Sequence, residues 1–123
     1  RATYNGDVDS GHLYFEEPYA VLDPIAWFCG NSDSTSHPAG QLQSNAWGLY
    51  DILGNVYEWI FDWAVYYPTT PKSDWWGQSG SYRVIRGGSW YKESEDLRPS
   101  KRGEKMFSYR GNGVGFRLAQ DLP

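Results

Sequence analysis

Two carboxylates, Asp51 and Glu58, flank a Gly54-Asn55 pair and stand seven residues apart. A hard cation such as Ca²⁺ takes about six to eight oxygens, drawn from carboxylates and backbone carbonyls. An irregular segment turning on glycine leaves carbonyls available that a helix would consume. Asp51, Glu58 and the carbonyls of Gly54 and Val56 therefore form a candidate oxygen site for one ion. Two carboxylates near a turn more often serve as a cap and a surface charge, and on the residues alone that reading is the favoured one.

Other reactive side chains are sparse. His12 and His37 fall in loop-like sequence, and neither has a second His or Cys at ligand spacing, which argues against a zinc site within the chain. Cys29 is the single cysteine and has no evident His or Asp partner. It reads as a small, partly buried hydrophobe. No serine stands in a nucleophile-elbow context. Ser89 follows Arg86-Gly87-Gly88. That diglycine either brings backbone close to a ligand, with the hydroxyl offered to it, or ends a strand in close packing. Arg83, Arg86, Arg98, Arg102, Arg110 and Arg117 can stack on rings and fork carboxylates. In a chain this aromatic most of them are expected to be structural, with one or two reaching a ligand.

The elements that must position these groups are short. Asp23-Pro24 followed by Ile25–Phe28 reads as one short helix or turn, and residues 30–45 read as loop. Within Asn45–Trp63 the Gly48 and Gly54 breaks argue against one continuous helix. That stretch reads as two short turns and then a strand beginning near Val56 or Tyr57, rich in aromatic and β-branched residues. Residues 68–80 form a loop with Lys72 and Asp74 exposed and Trp75-Trp76 able to pack back. Ser81–Trp90 alternates as a strand that stops at Gly87-Gly88. Residues 91–111 read as polar and irregular, and Val114–Ala119 as a closing strand. Loops this long are uncommon unless functional.

Composition sets the outer bounds. Of 123 residues, 18% are aromatic, with 14 Gly and 7 Pro, which is neither a disordered nor a bundle-forming composition. No apolar run is long enough for a membrane span, and one cysteine makes no disulfide scaffold. The net charge is −4, which disfavours a nucleic-acid partner. It divides unevenly, −8 over residues 1–62 and +4 over residues 63–123. Mutual neutralisation of the two halves accounts for this, with an anion-binding face on the second half as the sharper alternative. No targeting signal is visible. An extracytoplasmic or secreted setting is favoured over the cytoplasm.

Three ordered motifs then become recognisable: Asn45-Ala46-Trp47-Gly48-Leu49-Tyr50-Asp51-Ile52-Leu53-Gly54-Asn55-Val56-Tyr57-Glu58-Trp59, Tyr82-Arg83-Val84-Ile85-Arg86-Gly87-Gly88-Ser89-Trp90, and Gly115-Phe116-Arg117-Leu118. They resemble the formylglycine-generating enzyme family, the sulfatase-modifying-factor domain. Ala26-Trp27-Phe28 and Asn31-Ser32 resemble its bacterial branch. The resemblance implies an α+β, C-type-lectin-like fold with few short strands and helices and long loops. It also implies that residues 1–123 are the C-terminal portion of one domain, completed by a preceding segment or a second chain.

The family's calcium site maps onto Asp51, the Gly54 carbonyl, the Val56 carbonyl and Glu58. Its copper-binding cysteine pair maps onto Lys92 and Leu97, so no copper is expected, because soft Cu(I) needs thiolate. Tyr57 takes the place of the tryptophan beside the oxygen site, and Ser89 is retained. Three readings follow. One is a silent relative binding a protein, peptide or glycan. Another is an oxidase drawing catalytic groups from another chain or domain. The last is a retroelement-diversified binder whose variable side chains lie within Tyr91–Asn112. The binding readings are preferred, because no reactive group for the oxidase is identified within the chain. The expected ligand floor is Tyr57, Ser89, Trp90, Lys92, Arg98 and Arg102.

Overall fold

The computed structural model describes residues 20–73 and 75–120; His12, Asp74 and most of the polar N-terminal stretch lie outside them. Where the sequence predicts a helix or turn through Phe28, residues 20–25 make a turn that runs straight into a strand. The amides of Ile25 and Ala26 both donate to the Leu22 carbonyl, at 2.9 and 2.8 Å. The chain then enters β1 (Ala26–Trp27), which pairs in parallel with β2 (Leu53–Gly54), Ala26 opposite Leu53 and Trp27 opposite Gly54.

The larger sheet has four strands: β3 (Tyr57–Trp63), β4 (Tyr82–Arg86), β5 (Gly103–Met106) and β6 (Val114–Gly115), in the order β5-β4-β3-β6. β3 and β4 are antiparallel, with Glu58 opposite Arg86 and a register shift between Trp59 and Trp63. β6 runs parallel to β3, placing Gly115 opposite Glu58. The expected strand start at Tyr57 and the stop before Gly87-Gly88 both hold.

Two other expectations are corrected. Residues 91–111 contain order: a 3₁₀ turn at Ser94–Leu97 and the edge strand β5, paired along β4 from Tyr82↔Met106 to Ile85↔Gly103. The closing strand is shorter than Val114–Ala119. It ends at Gly115, after which Phe116 and Leu118 are exposed. Among the described residues the 3₁₀ turn is the whole of the helical content.

The core joins β1, β2 and the 3₁₀ turn. Leu22, Ile25, Ala26, Phe28, Leu53 and Leu97 form one buried cluster, while Val84 and Ile85 bury on β4. Loop residues are stapled to it by side chains acting as backbone. The Asn55 carboxamide accepts from the His37 amide and donates to the His37 carbonyl, each at 3.0 Å, reproducing a strand-like pair. The His37 ring stacks on Trp27 with centroids 3.7 Å apart. As expected, Trp75 and Trp76 fold back, Trp75 against Tyr67 and Trp76 against Phe61.

Candidate functional site

Asn45 shapes the first part of the site. Its carboxamide oxygen accepts from the Trp47 and Leu49 amides, which holds the turn leading to Asp51. Asp51 itself has φ of 52°, a left-handed conformation that Asp tolerates better than most residues. Its Oδ2 accepts from the Gly40 amide at 2.8 Å, and its Oδ1 is buried without a hydrogen-bond partner. Glu58 sits across on β3. Asp51, Val56 and Glu58 line one cavity of about 480 Å³ together with Phe116 and Arg117. The Gly54 N–H donates to the Gly87 carbonyl at 2.7 Å, and Gly54 is not among the residues lining this cavity.

Arg117 closes this cavity. Its Nε donates to both Glu58 oxygens, at 2.7 and 2.8 Å. Its Nη2 donates to Glu58 Oε1 at 2.5 Å and to the Tyr50 and Asp51 carbonyls at 3.0 Å each. This ion pair joins the acidic and basic halves of the chain. Other arginines are spent on rings and carbonyls. The Arg83 guanidinium lies 3.8 Å over Trp63 and bonds the Phe61 carbonyl.

The expected ligand floor divides. Ser89 and Trp90 meet at Asn55, whose carbonyl accepts from the Trp90 amide at 2.7 Å and the Ser89 hydroxyl at 3.4 Å, while Tyr57 and Lys92 both lie against the Tyr91 ring. Ser89 has no exposed surface, so its hydroxyl is used inside the fold. Tyr91, which the sequence did not single out, packs edge-on to both Tyr57 and Trp90, and Lys92 pairs with Asp96 at 3.6 Å. Burial, then the charge of Asp96 and the neighbouring Tyr91, push the Tyr57 hydroxyl up to about 12, so it stays protonated. Arg98 and Arg102 are engaged by other partners. Arg98 bonds the Glu95 carbonyl. Arg102 stacks 4.4 Å over Tyr67 and lines a separate open cavity of about 510 Å³ with Tyr66, Tyr82 and Glu104.

Cys29 is exposed, which corrects its reading as a partly buried hydrophobe. Its amide donates to the Lys92 carbonyl at 3.1 Å. Desolvation, then hydrogen bonding and charge from Glu93, push its thiol up to about 11. Thiolate is the reactive form. Iodoacetamide alkylation of Cys29 is therefore expected to be slow at neutral pH and to keep rising through pH 10. Glu93→Gln should shift that profile downward; a wild-type plateau near pH 9 would contradict the assignment. Among the described residues no three His, Cys, Asp or Glu side chains cluster.

The family profile of the sulfatase-modifying factor enzyme 1-like domain matches residues 16–122. The chain belongs to this family. A solved structure of Treponema denticola variable protein 1 superposes with a TM-score of 0.74 at 38% identity, over 79% of this chain and 36% of that one. The serine/threonine-protein kinase Pkn1 of Chlamydia trachomatis is 38% identical over 97 residues, 75% of this chain and 16% of the kinase. The formylglycine-generating enzyme of Streptomyces coelicolor is 33% identical over 90 residues, 68% of this chain and 29% of the enzyme. The chain thus spans under a third of these two curated relatives. The loop-dominated, few-stranded architecture is that of the family's C-type-lectin-like fold.

Proposed function

We propose that this sulfatase-modifying-factor-like domain is a calcium-stabilised binding module, taking a protein, peptide or glycan through residues 91–112, and is not a copper–cysteine oxidase. The observation that carries the reading is how that segment is held. Its N-terminal end is fixed by Trp90, whose amide bonds Asn55 and whose carbonyl accepts from Ser32 at 2.8 Å. Its C-terminal end is tied by the Trp90 indole to the Asn112 carbonyl at 3.3 Å, beside the Gly113 carbonyl that accepts from Tyr57. Between these anchors Tyr91, Met106, Phe107 and Tyr109 stand exposed. Rigid ends that present exposed aromatic side chains make an adaptable contact surface at low entropic cost.

The same segment contains no cysteine, and Leu97 in it is a buried core residue. Likeness to a variable protein supports the diversified-binder version of the reading. The calcium component is supported by the orphaned Asp51 Oδ1 and by the oxygen-only donor set around it. Completion of the domain by a preceding segment or a second chain forms part of the same proposal.

The test is a screen of the chain against glycan arrays and displayed peptide libraries. A bound probe should lose at least about tenfold in affinity on Phe107→Ala or Tyr109→Ala, with thermal unfolding unchanged. Binding indifferent to every substitution in 91–112, or conversion of a cysteine-containing sulfatase peptide to formylglycine, would overturn it.

A further inference from the structure

We infer that Arg117 is the resident cation of the Asp51–Glu58 cradle, and that Ca²⁺ and Arg117 compete for the same oxygens. The inference rests on the calcium component of the proposed function and adds to it the residue that would set its strength. Four oxygens face one guanidinium: both Glu58 carboxylate oxygens and the carbonyls of Tyr50 and Asp51. Nη2 alone is approached by three of them, although it carries only two hydrogens. Three acceptors on one two-hydrogen nitrogen crowd Nη2, and this convergence of oxygens matches what a spherical cation gathers.

Asp51 adds a buried oxygen that no hydrogen bond satisfies. The Arg117 Nε and Nη2 groups are engaged by Glu58 and the two carbonyls and leave that oxygen unmatched. A calcium ion bound to Glu58 at about 2.3–2.6 Å would lie within roughly 5 Å of the guanidinium. Like charges that close, on side chains only 35% and 20% exposed, repel strongly. Arg117 must therefore swing away for the ion to enter. The strand geometry permits this, because β6 ends at Gly115 and Arg117 lies beyond the ladder.

Thermal unfolding of the chain with chelator and with added calcium tests this. The wild type is expected to melt cooperatively in chelator and to gain a few degrees from calcium, because Arg117 must be displaced before the ion binds. Arg117→Gln is expected to melt lower in chelator and to gain roughly 10 °C when calcium exceeds its Kd about a hundredfold. Arg117→Lys, which keeps a charge but loses the fork, should fall between them and serves if the Gln variant does not fold in chelator. Glu58→Gln in the Arg117→Gln background should abolish the gain. Equal, non-zero calcium shifts in wild type and Arg117→Gln would overturn the competition while leaving the calcium reading standing. No shift in any variant would overturn both.

Discussion

Gly54→Ala is expected to destabilise the domain by about 2–5 kcal/mol and to unlink the site from the core. Gly54 has φ of 78°, in the left-handed region where a side chain costs roughly 1–2 kcal/mol. Space is the larger obstacle. A Cβ on Gly54 would press into the Trp27 carbonyl across the β1–β2 pair. That contact is with backbone, so no rotamer change relieves it, and overpacking of this kind costs about 1–3 kcal/mol more. The same carbonyl accepts from the Asn55 amide at 2.7 Å, and Gly54 donates to Gly87 at 2.7 Å. Displacing it therefore disturbs the Asp51–Glu58 turn and the Gly87-Gly88-Ser89 corner together. Chemical denaturation compared with Gly48→Ala is the measurement. Gly48 also has positive φ, 74°, but nothing crowds its Cβ position, so its loss should be confined to the conformational cost. Equal losses at the two sites would refute the crowding account.

Phe28→Ala is expected to cost about 3–5 kcal/mol, a large share of a small domain's stability. Phe28 is fully buried in the cluster with Leu22, Leu53 and Leu97. Those residues come from the N-terminal turn, β2 and the 3₁₀ turn, so one cavity would loosen all three. The loss should reach the binding segment too, since the Leu97 turn lies within residues 91–112. Phe28→Leu should cost clearly less by refilling part of the volume. Equilibrium denaturation of the two variants tests this. A Phe28→Ala loss below about 1 kcal/mol would show that the site collapses or was loosely packed.

The two halves of the structure differ in how visible they were from residue order. β3 and β4 are bounded by their own chemistry, aromatic and β-branched runs stopped by the Gly54-Asn55 and Gly87-Gly88 turns. β5 has no such signal. Gly-Glu-Lys-Met is a poor strand former on its own and becomes one because β4 offers it an unpaired edge. Phe116 and Leu118 continue the apolar pattern of β6 in sequence, yet the pairing stops at Gly115 although β3 runs on to Trp63, and both side chains are exposed.

The candidate site divides in the same way. Residue types and spacing marked Asp51 and Glu58 only as one of two readings, which the family resemblance turned toward an oxygen pair, and showed 91–112 to be a segment without thiols. The family followed from three local motifs, and each of those is a short run whose glycines and rings declare its shape. Arg117 on Glu58 is a contact between residues 59 apart, and no periodicity announces it. The burial of Ser89, the engagement of Arg98 by the Glu95 carbonyl and of Arg102 by the Tyr67 ring, and the placement of Tyr91 were likewise set by folding. Local conformational preference acts over a few residues, whereas the partner of a charged side chain is chosen by which strands pair. Here the parallel β3–β6 pairing, by setting Gly115 opposite Glu58, brings the arginine two residues further on to the carboxylate.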